Sequence, residues 1–129
     1  YTPVVNKKIS YLLKKDFLPF KKKKAFFAMT AHIIFNNIDK TNTVTHSKKI
    51  IKLIRKKIGF KNILISDDLS MKSLKGKLKD NTINSFKAGC NLALHCNGNM
   101  REMEIIANNS PFINNFIIKK TSQFYKILS

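Results

Sequence analysis

Three short apolar runs constrain this chain more than any other feature. Ala25-Phe26-Phe27-Ala28-Met29-Thr30-Ala31-His32, Asn62-Ile63-Leu64-Ile65 and Asn91-Leu92-Ala93-Leu94-His95-Cys96-Asn97 are each of strand length. Continuous apolar stretches this short suit strands buried on both faces, as in a parallel sheet. Between them the apolar spacing changes to that of a helix. Ser47 can cap a helix whose inner face is Ile50, Ile51, Leu53, Ile54 and Ile58, with Gly59 as its stop. Asp80 or Asn81 can cap a second, carrying Ile83, Phe86 and Ala88 and ended by Gly89. Strand, helix and strand in regular alternation predict an α/β fold with a parallel sheet.

Each strand run also ends in polar side chains: Thr30 and His32, Ser66 to Asp68, His95 and Asn97. In parallel sheets these ends gather on one rim, where strands hand over to loops and chemistry is placed. That rim is the candidate active site. Its centre is Ser66-Asp67-Asp68-Leu69-Ser70-Met71, two adjacent carboxylates in a chain with seven acids against twenty-five Lys and Arg. Two readings stand side by side: a catalytic carboxylate, or an Asp that caps the next helix.

The flanks read as follows. Ile9, Leu12, Leu13, Phe17 and Phe20 give a helix between Lys7 and Lys22, with Pro19 near its end and lysines 21 to 24 at a solvated terminus. Ile33 to Thr45 reads as a loop, with Asn36, Asn37, Asp39 and Asn42 as turn formers. Met71 to Lys79 is polar and Lys-rich. Met100, Met103, Ile106 and Ala107 form a packing stripe, and Ser110-Pro111 opens a last helix with Ile113, Phe116, Ile117, Phe124 and Leu128.

Composition narrows the function classes. The 129 residues make one modest domain, whereas a closed β/α barrel needs about 250. No run approaches the roughly 18 apolar residues of a membrane span. The opening Tyr1-Thr2-Pro3-Val4-Val5-Asn6-Lys7-Lys8 has no signal-peptide pattern and no Met, so the chain is expected to begin mid-protein. Cys90 and Cys96 lack a metal-binding spacing and are expected to be buried, reduced thiols of a cytoplasmic protein. The net charge of +18 raises a basic nucleic-acid-binding protein as an alternative. Against it, only Arg55 and Arg101 are arginines, and the lysines are spread over nearly every helical segment. No specific nucleic acid and no membrane are expected as partners.

The motifs in series resemble a known family. Ala28-Met29-Thr30-Ala31-His32, Ser47, Leu53-Ile54-Arg55, Ile58-Gly59-Phe60, Ile65-Ser66-Asp67-Asp68-Leu69-Ser70-Met71, Ala88-Gly89-Cys90 and Leu94-His95-Cys96-Asn97 occur in its order. Together they resemble the C-terminal half of the catalytic barrel of bacterial family 3 glycoside hydrolases. The Ser-Asp-Asp-Leu-Ser-Met form, where β-glucosidases usually place Trp after the nucleophile, resembles the β-N-acetylhexosaminidases of peptidoglycan recycling. The resemblance implies a partial (β/α)8 barrel domain over residues 1–129, with about three parallel strands. It implies a retaining hydrolase that removes N-acetylglucosamine from muropeptides, with no cofactor and no metal. Asp67 matches the catalytic nucleophile, Asp68 a neighbouring substrate-binding position, and His32 the same pocket.

The departures matter equally. The family's general acid/base is an Asp–His pair on a loop after a Lys-His-Phe-Pro-Gly-His-Gly type stretch, and this chain has no such segment. Asn62 stands where Gly is usual and Asn91 where Asp is usual. The resemblance therefore implies an enzyme, and this sequence an incomplete one, whose partner is the missing N-terminal half of the barrel. A truncated, non-catalytic relative is the other alternative.

Overall fold

The computed structural model describes residues 1–21 and 24–128. The chain opens on β1 (Val4–Val5) and α1 (Ile9–Lys14), then reaches β2 (Phe27–Met29) and β3 (Ile34–Phe35). α2 (Lys48–Leu53) continues as a wide π turn, Ile54–Ile58, and leads into β4 (Ile63–Asp68). α3 (Leu78–Ala88), β5 (Leu92–Leu94), α4 (Met100–Asn108) and α5 (Asn115–Leu128) complete the order. The three expected strands form one parallel sheet in the order β2-β4-β5, so their C-terminal ends share a rim. β2 pairs in register, Phe27 with Ile63 and Met29 with Ile65.

The crossover from β2 to β4 forms as its punctuation dictates. The Ser47 hydroxyl accepts the Ile50 amide at 3.2 Å and caps α2. Gly59 ends the π turn at φ 82°, a left-handed conformation costly for any residue with a Cβ. Gly89 serves a packing need as well: a Cβ there would meet Ile51 Cγ2 at 3.0 Å. Ile51, Phe60, Leu64, Ala88 and Cys90 form the core where α2 and α3 lie on the sheet. Full burial of a side chain such as Leu64 contributes about 2 kcal/mol. Leu69, Leu74 and Ile106 form a second cluster beyond the rim. α5 packs Phe124 against Phe26 and Phe27, with ring centroids 5.6 and 5.0 Å apart.

Several expectations give way. The first helix ends at Lys14, beyond which the Phe17 amide reaches back to the Leu12 carbonyl, and Pro19, with no amide to donate, sits in a separate 3-10 turn, Leu18–Phe20. Lys22 and Lys23, expected at its terminus, lie outside the described residues. The strand runs are shorter at both flanks, while β4 is longer, continuing past Ile65 to Asp68. The loop from Ile33 contains β3, which pairs in parallel with β1 as a second small sheet. α3 starts at Leu78 without a side-chain cap, so Asp80 lies in its first turn, where the helix dipole favours an acid. Asn114, not Ser110, caps α5 through the Ile117 amide at 3.1 Å, and the Ser110 hydroxyl bonds back to Ile106 at the end of α4. Cys90 is buried, which pushes its thiol up to about 11, but Cys96 is exposed.

Arg55 ties the N-terminal ends of the strands together. Its guanidinium donates to the carbonyls of Phe60 and Asn62 at 3.1 and 2.6 Å and to Asn91 Oδ1 at 2.7 Å. Asn91 Oδ1 also accepts the Leu64 amide at 2.9 Å, so one neutral oxygen serves a half-buried cation and a strand amide. Burial pushes the Arg55 pKa down, as expected where no carboxylate among the described residues balances it. Asn91→Asp keeps both acceptor bonds and adds the missing charge. It is expected to stabilise the fold by about 1 kcal/mol, a gain held above the carboxyl's ordinary pKa and lost at lower pH. Thermal melts at matched chain concentration check this, and Asn91→Ala should lower the melting temperature.

Candidate active site

At the end of β4 the ladder breaks register. Ile65 faces Leu92, but Asp68 faces Leu94, so three steps on β4 match two on β5. This is a β-bulge, which bends a strand and re-aims its side chains. The Ser66 hydroxyl, fully buried, fills the gap by accepting the Leu94 amide at 2.9 Å. Just beyond it, the Leu69 amide donates to the Leu94 carbonyl at 3.0 Å.

Asp67 stands at this bulge, half-buried on the rim. Its amide donates to Thr30 Oγ1 of the neighbouring strand's end at 3.2 Å. Its Oδ1 accepts the Asp68 amide at 2.9 Å, and its Oδ2 has no hydrogen-bond partner among the described residues. Asp68 turns away into its own loop, where Oδ1 accepts the amide and hydroxyl of Ser70 at 3.0 and 2.8 Å. Burial pulls the Asp68 carboxyl up, but bonds from Ser70 and the Cys96 amide, with His95 nearby, outweigh it and hold the pKa below the usual value. The capping expectation thus becomes a local turn around Asp68: no helix begins until Leu78.

His32 is 3 % exposed, and both ring nitrogens have protein partners. Nε2 lies 2.7 Å from the Asp68 carbonyl oxygen and Nδ1 2.9 Å from Thr45 Oγ1. The structure therefore brings His32, Asp67 and Asp68 together, with His32 beneath the backbone of the acids. His95 lies on the same rim, its Nε2 2.7 Å from Glu102 Oε2, which also accepts from Asn97 at 2.7 Å. His95 first and Asn97 second hold the Glu102 carboxyl below its usual pKa. Among the described residues no three His, Cys, Asp or Glu side chains converge as a metal site requires. A cavity of about 640 Å³ opens beside the loop after Asp68, lined by Val4, Ile34, His46, Ser73 and Asn81. Neither Asp67 nor Asp68 lines it.

Sequence reasoning missed Thr45 and Glu102. Thr45, 0 % exposed, lies in the segment read as a loop, where Asp39 holds the backbone. Asp39 accepts the Ser47 hydroxyl at 2.7 Å, the amides of Thr41 and Asn42 at 3.2 and 3.1 Å, and the Asn42 side chain. The one available signal was an Asp followed closely by Thr, Asn and Ser, the composition of a side-chain-bonded turn.

Parallel strands joined by helices, with a carboxylate lifted from the ladder at their C-terminal rim, define an α/β domain of the barrel type. A family model described as "Glycosyl hydrolase family 3 N terminal domain" matches residues 1–121, and the chain belongs to that family. It is 30% identical to a beta-hexosaminidase of Psychromonas ingrahamii, over 97% of this chain and 37% of the relative. It is 33% identical to a beta-hexosaminidase of Neisseria meningitidis, over 74% of this chain and 28% of the relative. NagZ from Neisseria gonorrhoeae, in complex with N-trifluoroacetyl-D-glucosamine, superposes with a TM-score of 0.78 at 26% identity, over 93% of this chain and 36% of that one. CbsA from Thermotoga neapolitana gives 0.77 at 25% identity, over 98% and 32%. The chain thus spans about a third of the length of these relatives. No helix among the described residues is long and apolar enough to cross a membrane.

The Asp39 cluster carries a pH prediction. Burial pulls its carboxyl up, but the bonds from Ser47, Asn42 and Thr41 outweigh it and bring the pKa from 3.8 to about 2. The folded value is depressed, so the stabilisation is complete above the unfolded value and lost as pH falls through the folded one. Asp39→Ala should destabilise by about 3 kcal/mol at neutral pH. Denaturant unfolding followed from neutral to acid pH should show the variant's stability falling less steeply than that of the wild type between 3.8 and about 2.

Proposed function

We propose that this chain supplies the nucleophile half of a retaining β-N-acetylhexosaminidase. The observation that carries the reading is Asp67 at the bulge, one carboxylate oxygen fixed by the Asp68 amide and the other without a partner among the described residues. In the reaction Asp67 Oδ2 bonds to the anomeric carbon as the glycosidic C–O bond breaks, and the leaving oxygen takes a proton from a general acid. Water then cleaves the glycosyl ester with the same group acting as base, which gives net retention. The carboxylate also stabilises the positive charge that develops on the sugar ring. Asp68 stands beside Asp67 on the substrate side of the rim, its carboxyl immobilised by Ser70, and His32 supports both from below.

Membership of the family and likeness to beta-hexosaminidases support this chemistry. The finer reading is ours: the substrate is N-acetylglucosamine on cell-wall fragments, and the site of action is the cytoplasm. The general acid comes from a loop of the N-terminal half of the barrel, the partner this chain requires.

Measurements on the completed barrel and on the chain alone test the proposal. In the barrel completed with an N-terminal half, Asp67→Asn should lower hydrolysis of nitrophenyl N-acetyl-β-glucosaminide by about three orders of magnitude, and Asp68→Asn by about tenfold. Trapping with a fluorinated glycoside should label Asp67, and labelling elsewhere overturns the assignment. The chain alone should release no nitrophenol and should self-associate. Three strands cannot close a barrel, and β2, with Met29 59 % exposed, has an open edge. Sedimentation at several concentrations reads this out. A monomer with steady turnover sinks the half-enzyme reading.

A further inference from the structure

The structure assigns Thr45, acting with Thr30 and His32, as a positioning residue for the Asp67 carboxylate. This inference rests on the proposed role of Asp67. The position of one proton in this cluster is forced. His32 Nε2 lies 2.7 Å from the Asp68 carbonyl, which can only accept, so Nε2 carries hydrogen. Nδ1, left without hydrogen, accepts from its neighbour at 2.9 Å, the Thr45 hydroxyl, a much shorter contact than the 3.4 Å from that hydroxyl to the Ala31 carbonyl. Having used its one hydrogen, Thr45 Oγ1 accepts from Thr30 Oγ1, also at 2.9 Å. Thr30 Oγ1 in turn accepts the Asp67 amide at 3.2 Å.

The bonds thus run in one direction around a closed circuit: Asp67 amide, Thr30, Thr45, His32, Asp68 carbonyl. Both ends fall on the acid pair at the end of β4, so the circuit clamps the backbone between the Asp67 nitrogen and the Asp68 carbonyl. A parallel ladder would ordinarily hold that backbone, but on this side it has run out: β2 ends at Met29, opposite Ile65, and the Thr30 amide makes the last backbone bond, to the Ile65 carbonyl. Thr30, His32 and Thr45 are 3, 3 and 0 % exposed, so water offers no substitute partner. Thr45 itself is held in place by the turn that Asp39 and Ser47 close. A misplacement of about 1 Å at a reacting group can cost about 100-fold in rate.

The test uses the barrel completed with an N-terminal half and compares wild type, Thr45→Val and Thr45→Ser. Thr45→Val should lower kcat on nitrophenyl N-acetyl-β-glucosaminide about 10–100-fold with KM unchanged. Thr45→Ser, which keeps the hydroxyl, should restore kcat to within about threefold. In the same samples, Asp67 amide exchange should accelerate in Thr45→Val and recover in Thr45→Ser. ¹⁵N spectra should show His32 as the pure Nε2–H tautomer in wild type and in Thr45→Ser only. A merely structural Thr45 would lower melting temperature without splitting kcat from KM, and that result overturns the inference. Equal kcat losses in the Val and Ser variants overturn it too. If the wild-type assembly has no turnover, the hydrolase reading fails separately; the amide-exchange arm still decides, and unchanged Asp67 protection in Thr45→Val overturns the positioning role.

Discussion

Everything near the acids depends on β4 being paired from both sides. β2 and β5 bond to its two edges, and their parallel direction brings three strand ends to one rim. Hydrogen bonding here does more than stabilise. A net backbone bond contributes only about 1 kcal/mol, but paired edges leave the central strand few ways to move. Asp67 inherits that rigidity up to the bulge, and from there side-chain bonds take over. The transition from backbone to side-chain support falls within Ser66–Asp68, the stretch that carries the proposed chemistry.

The outline of this arrangement was legible from sequence because its signals are local. Ser47 and Gly59 bracket a helix by capping chemistry, and the run from Ile63 has no other comfortable environment than a buried strand. The place of Asp67 at a strand's end was legible because the acid pair follows that run directly. What was missed is non-local or brief. β1 and β3 are two residues each, too short for a period to register. The bulge is a relation between Ile65–Asp68 and Leu92–Leu94, and no property of either segment alone announces it. Thr45 reaches His32 and Thr30 across more than a dozen residues, through hydroxyl groups that sequence rules assign to turns and caps. At α5 the cap is Asn114 and not the expected Ser110, whose hydroxyl closes α4 instead.

Charge is distributed unevenly between site and surface. Of seven acids, Asp39, Asp67, Asp68 and Glu102 are held in hydrogen-bonded clusters at or beside the rim, which leaves Asp16, Asp80 and Glu104 among twenty-five Lys and Arg. The surface is therefore strongly cationic, which favours loose, salt-sensitive attraction to polyanions without specifying any of them. The basic composition describes the solvated faces, while the acids mark structure and site.

The serine before the acid pair has a consequence for how such a chain would drift. Ser66 is constrained by the sheet: it is fully buried and its hydroxyl stands in for a missing ladder partner. Asp67 has a side chain that the sheet does not need, since its links to the fold run chiefly through its backbone amide. A lineage released from catalysis would lose the two residues at different rates, the carboxylate early and the serine late. Serine kept beside a substituted acid would be the mark of a retired enzyme, and the pair Ser66–Asp67 stands intact in this chain.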